Sequence, residues 1–433
     1  MKGKLLFTTL LACAVATPVL AQSEEERPKE KRFTIGGYGE AVMTRNYYSQ
    51  HFNRYRDPES HANDESHGQF DIPHAVLNLG YNFGKGWTFG MEVEFEHGGT
   101  ESAVEVDADE AGEYEAEVER GGEVALEQFW INKEWLDGKL NLKFGEIVIP
   151  VGETNAHHMP NEFFTVYRPE GESIIFPCTW HQVGAELWGR IGQFGYEFLF
   201  TSGLDSERFG AQSFIHDGAG SPYEFKIANT YAVAGRIDNY SIPGLRLSLS
   251  GYYGNSFKNT LRTVSSSKYG DVKGTVAIGA FGLNYKGHNW IVRGNADFAY
   301  LSDASLITSY NNSFPTHSGQ DGSPSKHQPI GSHAYSYGVE AGWNIFSQFE
   351  NIRRSGEKLY IFGRYEKYDS MSSGTHMAAY RYLKVGRMAV GLNYVPLNGL
   401  TIKAEYSKRF LTQTYNDEPS VSIGVTYAGW FNL

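Results

Sequence analysis

Segments of about ten residues in which apolar and polar side chains alternate recur along most of the chain. In 87–96 (WTFGMEVEFE), five apolar side chains from Trp87 to Phe95 fall on one face, and Glu92, Glu94 and Glu96 fall on the other. A period of two residues is typical of a β-strand. Sixteen such segments begin near residues 33, 73, 87, 123, 139, 182, 194, 230, 245, 274, 289, 335, 358, 385, 400 and 419, the weakest being 123–135. The pattern predicts an all-β protein.

The lengths of the segments and of their connections indicate which solvent the strands face. Strands in soluble proteins most often have about five or six residues, whereas a tilted membrane strand needs about 9–11. Short connections near 83–86, 136–139, 191–193, 286–289 and 396–399 alternate with long ones near 46–68, 97–122, 150–180, 203–229, 254–273, 301–334 and 369–381. Only 347–357 is long where a short turn is expected. This layout predicts a transmembrane antiparallel β-barrel of about 16 strands, with short periplasmic turns and long extracellular loops.

The two ends of the chain agree with a protein exported to an outer membrane. Residues 1–21 combine a basic start, an apolar stretch and a small-residue cleavage site, which predicts a signal peptide; Cys13 leaves a lipoprotein signal as an alternative. Residues 22–32 are interpreted as a flexible periplasmic lead-in and 33–433 as the barrel. The end, VSIGVTYAGWFNL, resembles the closing strand that the barrel assembly machinery recognises, although Leu433 is not aromatic. Cys178 is the only cysteine after the signal, so no intrachain disulfide is expected.

Composition and charge exclude several classes of protein. Aromatic residues make up 15% of the chain, which is incompatible with general disorder. No run after residue 22 approaches the roughly 18 apolar residues of a membrane-spanning helix. The net charge of -12 is local, because 92–127 hold 14 acidic residues against Arg120, and nothing predicts a nucleic-acid surface. The acidic stretch 101–123 lacks the spacing of a calcium loop and is interpreted as a surface loop.

A closed barrel of sixteen strands is wide enough for an aqueous channel. The alternation predicts lumen-facing cations at Lys143, Arg190, Arg236, Arg246, Arg293, Arg364, Arg387, Lys403 and Arg409. It predicts lumen-facing anions at Glu40, Glu92, Glu94, Glu96, Glu186, Glu197, Asp297, Glu340, Glu366 and Glu405. The two sets are balanced, and their distribution predicts opposing walls of opposite sign. The function predicted is passive diffusion of small hydrophilic solutes and ions, with selectivity set by these charges.

The long aromatic connection 149–181 is the candidate constriction loop. A loop so apolar is expected to fold against the inner wall rather than remain in water. Its candidate pore-narrowing residues are Glu153, Phe163, Tyr167, Arg168 and Glu170. Packing against neighbouring loops at the rim is the alternative.

Two stretches carry a family resemblance. KFGEIVIPVGETN, with Gly145, Pro150, Val151 and Gly152, and the opening FTIGGYGE (33–40) resemble porins of the phosphate-selective O and P type, particularly their Bacteroidetes-type relatives. The resemblance implies a sixteen-stranded, homotrimeric channel with inward-folded loops in the outer membrane of a Gram-negative bacterium. Phosphate selectivity itself would require a ladder of arginine and lysine.

No motif predicts an enzyme or a cofactor. Neither GxSxG nor HExxH occurs, and no carboxylate pair suggests acid–base catalysis. His157 and His158 are adjacent, so on an extended loop they point opposite ways, and His181 lies far along the chain; no metal is predicted. A substrate-specific channel for an anion or an oligosaccharide, and a surface barrel without transport, are the alternative functions.

Overall fold

Nineteen β-strands and three short α-helices form most of the regular structure of the described residues. The computed structural model describes residues 32–55, 57–98, 103–107, 117–121, 124–221, 225–260, 267–313, 327–372, 380–411 and 415–431. The strands are β1 Phe33–Asn46, β2 His67–Asp71, β3 His74–Gly84, β4 Trp87–Glu96, β5 Ala103–Asp107, β6 Glu117–Gly121, β7 Val124–Trp135, β8 Leu140–Val148, β9 His181–Ile191, β10 Phe194–Ser202, β11 Tyr231–Asn239, β12 Leu245–Asn255, β13 Thr275–Gly287, β14 Trp290–Leu301, β15 His333–Asn344, β16 Lys358–Asp369, β17 Lys384–Leu397, β18 Leu400–Phe410 and β19 Ser420–Phe431. The helices are α1 Glu170–Ile175, α2 Ala304–Asn311 and α3 Glu350–Ser355.

Sixteen of these strands close into one antiparallel barrel. Each barrel strand pairs with the next along the chain, and β1 closes the ring by pairing with β19 from Ile35–Phe431 to Asn46–Ser420. The short strand β2 also pairs with β1 and continues the line of β3 after an interruption at Pro73, which has no N–H to donate. The hairpin β5–β6 is a separate two-stranded sheet. The predicted fold is confirmed, and every predicted strand begins within two residues of an observed one.

The barrel buries its polar face and exposes its apolar face. In β19, Ser422 and Thr426 are buried, whereas Val421, Ile423 and Val425 are 39 to 51% exposed. Water would penalise so much exposed apolar surface, and a closed barrel in lipid is stabilised by it. The outer surface is therefore the lipid-facing one, and the alternation first seen in the sequence records which side of each strand faces inward.

Aromatic side chains mark both edges of this apolar surface. Trp87 and Trp290, next to short turns, expose 46% and 45% of their surface. Tyr231, Tyr253 and Phe410 lie at or near the ends of β11, β12 and β18 that lead into long loops, and they are also exposed on the outside. Two aromatic girdles flanking an apolar band are characteristic of membrane barrels, since amphipathic rings sit well at the headgroup level.

Several sequence expectations are refined or fall outside the described residues. The connection 347–357, which is long where a short turn was expected, contains α3, and a 3-10 turn at Ile345–Gln348 precedes this helix. His181 belongs to β9, so the long connection is 149–180. The predicted signal peptide, nearly all of the lead-in, the side chains of 101–123 and Leu433 lie outside the described residues. Among the described helices, none has the length and apolar character needed to cross a membrane.

A β-bulge explains why alternation fails at 123–135. Glu92 of β4 lies opposite Gln128, but the next residue, Val93, lies opposite Leu126. Glu127 is thus the extra residue of the bulge, and both Glu127 and Gln128 are buried on the inner side. Bulges re-aim side chains in this way.

Candidate constriction in the barrel lumen

Two glycines direct the chain from β8 into the lumen. Gly145 (φ 135°) lies so close to β7 that an added Cβ would collide with the carbonyl oxygen of Phe129. Gly152 (φ 84°) has no room for a Cβ beside the Glu172 carboxylate. Its N–H donates to Ser250 Oγ at 3.1 Å. These contacts give the family-like Gly–Pro–Val–Gly stretch a physical role, which is to turn loop 149–180 against the inner wall.

Glu172 and Asn155 hold the loop in its own shape. The Glu172 carboxylate accepts backbone N–H bonds from Glu153 (3.0 Å) and Asn155 (2.7 Å). The Asn155 amide donates to the carbonyls of Ile149 and Val151 and accepts from the Trp180 N–H at 2.6 Å. Burial raises the pKa of Glu172 to about 7, although these backbone N–H groups favour the ionised form. The entry and exit of the loop are thereby joined.

An apolar patch seals the loop against one side of the wall. Ile175, Phe176 and Trp180 of the loop are fully buried, and they belong to one cluster with Leu199 of β10 and Tyr252 of β12. The aromatic content that marked this connection is therefore buried against the barrel. Burial also raises the pKa of Cys178 to about 12, so its thiol is protonated at neutral pH.

The first part of the loop forms ion pairs with side chains of β11 and β12. Glu153 forms ion pairs with Arg236 (3.3 Å) and with Arg246. Arg236 also donates to the Gly152 carbonyl at 2.8 Å and pairs with Asp238 at 3.0 Å. The two arginines are consequently occupied by carboxylates.

Lys403 of β18 anchors the middle of the loop. Its ammonium is fully buried and donates to the carbonyls of Pro160 (2.5 Å), Phe163 (3.0 Å) and Thr165 (2.8 Å). The same ammonium lies 4.2 Å from the centre of the Phe163 ring. Nearby, the Phe164 N–H donates to Glu340 at 3.3 Å. One wall cation thus satisfies three carbonyls of irregular backbone, which require partners when buried.

The last part of the loop carries Glu170 into a group of wall arginines. Its carboxylate is 2.9 Å from Arg409 and 3.5 Å from Arg387, and it accepts a bond from the Tyr368 hydroxyl at 2.7 Å. Burial alone would raise the pKa of Glu170, but the two guanidiniums hold it at about 2. Glu170 is therefore an anion at neutral pH.

The remaining predicted loop residues lie near β1, β2 and β4. Tyr167 contacts Gln69 and Asp71 through its hydroxyl, at 3.3 and 3.5 Å. Arg168 donates to the Cys178 carbonyl at 2.5 Å, while its Nε and its other terminal nitrogen are buried without a hydrogen-bond partner. All five candidate loop residues are within the barrel rather than at its rim.

The predicted lumen-facing charges lie on the inner faces of their strands, and most of the cations are paired with carboxylates. Lys143 pairs with Glu186 at 2.5 Å. Arg364 bridges Glu340 and Glu366, and Arg387 bridges Glu366 and Glu405. Arg293 pairs with Glu340 at 2.6 Å. Glu92 and Glu94 are buried, Glu96 is half-buried, and Arg190 is exposed near a short turn, over the Tyr240 ring. Carboxylates of the wall and of the loop thus pair with most cations of the predicted basic wall, which weakens the predicted contrast between opposing walls.

The lumen is far more filled than a bare sixteen-stranded barrel would be. Each barrel strand carries at least one buried residue on its inner face: Glu40, Asn78, Glu92, Glu127, Asn141, Glu186, Thr201, Arg236, Ser248, Ala280, Asp297, Glu340, Glu366, Arg387, Lys403 and Thr426. A cavity of about 30 Å³, room for one or two water molecules, lies between the loop and β13–β16. It is lined by Glu153, Thr154, His157, Glu162, Phe163, Pro169, Asn284, Arg293, Gly294, Asn295, Glu340 and Arg364. Loop 149–180 forms one side of this cavity.

Among the interior carboxylates that sequence reasoning missed are Asp238 of β11, which pairs with Arg236, and three others. Glu127 was hidden by the bulge, and the failure of alternation at 123–135 was the signal that could have found it. Glu162 and Glu172 lie on the loop, where no periodicity assigns a direction. With Glu153 and Glu170, they bring five carboxylates into the lumen against one guanidinium, that of Arg168.

Comparisons with known proteins are consistent with the barrel. No family model matches the sequence. An uncharacterized protein of Aquifex aeolicus (strain VF5) is 26% identical over 388 residues, which cover 87% of this chain and 76% of that protein. The anion-selective porin from Comamonas acidovorans has a similar structure, with a TM-score of 0.50, 10% identity, and 92% of this chain and 99% of that one covered. Salmonella typhi OmpF in complex with daunomycin gives the same TM-score at 10% identity, with 91% and 97% covered. At such identities the similarity establishes the fold alone.

Proposed function

We propose that this chain is an outer-membrane porin, a water-filled channel for passive diffusion of small hydrophilic solutes and ions, narrowed by loop 149–180. The observation that carries the proposal is the inverted burial of the closed barrel, with apolar residues such as Ile423 outside and polar residues such as Thr426 inside. A barrel with a polar, hydrated interior and an apolar outer surface is suited to carrying polar solutes across a lipid bilayer. Its location is the outer membrane of a Gram-negative bacterium.

The passage is narrow. Every barrel strand has at least one buried residue on its inner face, and the loop occupies part of the lumen, so the space left for a solute is restricted. Unitary conductance should therefore be lower than that of an open barrel of this size. A filled lumen also favours the second candidate, a channel specific for one class of small solute, which would show saturable conductance.

A weak preference for cations follows from the charges. The wall alone is balanced, but Glu127 and the four loop glutamates outnumber Arg168. Phosphate selectivity, the finer property of the resembling family, would require guanidiniums free to bind the anion. Arg236, Arg293 and Arg387 instead form ion pairs with carboxylates.

Planar-bilayer recording of the purified full-length protein tests this function. We expect discrete low-conductance steps and a reversal potential of the cation-selective sign in a KCl gradient. The variant Glu153→Gln should shift the reversal potential toward anions, and Glu350→Gln, an exposed residue of the α3 turn, should not. Complete absence of conductance would favour a surface barrel without transport, and strong anion selectivity would favour the phosphate-type channel.

Assembly is proposed from the resemblance alone. We infer a homotrimer inserted by the barrel assembly machinery, with lipid as the partner of its exposed face. Native mass spectrometry of detergent-extracted protein would measure the number of subunits, and a monomeric mass would contradict the trimer.

A further inference from the structure

Two carboxylates and one histidine meet between the inner wall and loop 149–180. Glu92 lies on β4, Glu127 is the bulge residue of β7, and His158 belongs to the loop. One ligand atom from each lies within 4.8 Å of the other two, and His158 Nε2 is 3.9 Å from Glu92 Oε1. All three residues are more than nine-tenths buried.

The hydrogen bond on the far side of His158 determines which nitrogen faces the carboxylates as an acceptor. His158 Nδ1 is 3.0 Å from the carbonyl oxygen of Asn155. A carbonyl only accepts, so Nδ1 carries the proton and donates it. Nε2 then faces two carboxylates, which either a second ring proton or a bound metal ion would stabilise. Histidines that bind metals usually donate their other N–H in this way.

Glu92 is held in place but not satisfied. Its Oε2 accepts from the Gln128 amide at 2.5 Å, whereas its Oε1 is buried without a hydrogen-bond partner. That unpartnered oxygen is the atom that faces His158. The Tyr38 hydroxyl, at 3.4 Å, donates to Glu127. Leaving a buried anionic oxygen unpaired is costly, and a bound cation would remove the cost.

The surrounding charges also favour a cation. Glu40 and Glu94 add two buried carboxylates. His74 bonds Glu94 at 2.5 Å, and Lys403 and Arg168 bring two positive charges to the same side of the lumen. The four carboxylates therefore exceed these two cations by two charges, which a divalent ion would compensate.

We propose that Glu92, Glu127 and His158 bind a divalent transition-metal ion of the zinc type, which fastens loop 149–180 to the inner wall. An imidazole nitrogen with two carboxylates suits zinc, whereas calcium prefers oxygen ligands alone. Tetrahedral bonds of about 2.0 Å place ligand atoms about 3.3 Å apart, so the 3.9 Å separation needs only a small closure. The fourth position is left for water or for a solute in transit.

Zinc binding to the untagged full-length protein in detergent tests the site. After EDTA treatment and dialysis, titration calorimetry and elemental analysis should find one tightly bound zinc per chain. Glu127→Gln and His158→Asn should each weaken binding by about 100-fold or more. The matched control is His157→Asn, since His157 points toward Arg246 and Glu162 instead. His74→Asn tests the neighbouring group His74, Glu94 and Glu96, and it should retain the zinc.

Several outcomes would overturn the site. It is wrong if the wild type takes up no zinc at micromolar concentration, or if His158→Asn binds zinc as tightly as the wild type. Heat-dependent gel migration verifies that each variant forms the barrel. Should a variant fail to fold, X-ray absorption of the zinc-loaded wild type replaces it, and a spectrum without imidazole scattering would refute the assignment.

The fastening effect rests on the porin function proposed above. EDTA should raise the conductance of the wild type and leave that of His158→Asn unchanged. A protein that binds zinc but conducts equally with and without it refutes the fastening and keeps the site. A protein that conducts but binds no zinc refutes the site and keeps the porin.

Discussion

Replacing Glu170 by glutamine is expected to loosen the part of loop 149–180 that lies against β17 and β18. The Glu170 carboxylate is stable in this position only when it is ionised, because it faces Arg409 at 2.9 Å and Arg387 at 3.5 Å. Glutamine keeps the shape and the bond to Tyr368 but removes the charge. The two guanidiniums would then be left without their shared loop carboxylate.

The magnitude follows from the pKa of Glu170, which is lowered from 4.5 to about 2. Each pKa unit corresponds to about 1.4 kcal/mol, and after allowance for the part of the side chain that water reaches, roughly 2 to 3 kcal/mol stabilises the docked loop. This contribution is present above the ordinary carboxyl pKa and is lost as pH falls through the lowered one. The wild-type loop should stay docked from neutral pH down to about pH 3, and the undocked population should become about 30- to 150-fold larger in Glu170→Gln at pH 7.

Single-channel recording measures this directly. Glu170→Gln should show more frequent transitions to a higher-conductance state at pH 7, together with faster proteolysis of loop 149–180. Glu350→Gln removes an exposed ion pair with Arg354 and should behave as the wild type, because exposed pairs contribute little. Identical gating and protease resistance in Glu170→Gln would refute the idea that these charges hold the loop.

Three further predictions concern other parts of the molecule. Lys403→Met leaves three buried carbonyls without a donor and should lower the free energy of unfolding in urea by about 3 kcal/mol; an unchanged midpoint would contradict its anchoring role. Ile423→Arg places a charge on the lipid-facing surface and should cost about 2–4 kcal/mol in vesicle refolding, whereas a water-exposed outer face would tolerate it. Because burial raises the pKa of Cys178 to about 12, its thiol should resist maleimide at pH 7 until the protein is denatured, and rapid labelling would contradict the docked loop.

The barrel could be predicted because its information is local. A membrane strand alternates lipid-facing and lumen-facing residues. The pattern of ten residues such as 87–96 therefore indicates both that the segment is a β-strand and which of its faces points to the lumen. The alternation of short and long connections predicted the topology, and this inference required no knowledge of contacts between residues distant in the chain. The imperfect alternation of 123–135 has a physical reason, since the bulge at Glu127 shifts the alternation by one residue.

The arrangement of the lumen could be predicted only in part. Facing direction placed Arg387 and Lys403 inside, but no periodicity states that Lys403 bonds carbonyls of residues about 240 positions earlier in the chain. Irregular backbone has no repeat from which a direction can be inferred. The count of wall charges predicted a field across an open lumen, because the alternation of the strands says nothing about the carboxylates that the loop supplies.

The pairing of the wall charges changes how selectivity and loop position should be understood. Buried ion pairs contribute little net stability compared with apolar packing, but each one is costly to break. The polar contacts of Glu153, Glu170 and Lys403 therefore determine the position of the loop more than they stabilise it. Most of the net free energy that holds the loop on the wall comes from the apolar patch around Phe176. Because buried pairs are weakly screened, salt alone should not release the loop. A solute or ion that competes for one of these partners would release it, and this makes the docking contacts themselves the places where a transported species can act on the channel.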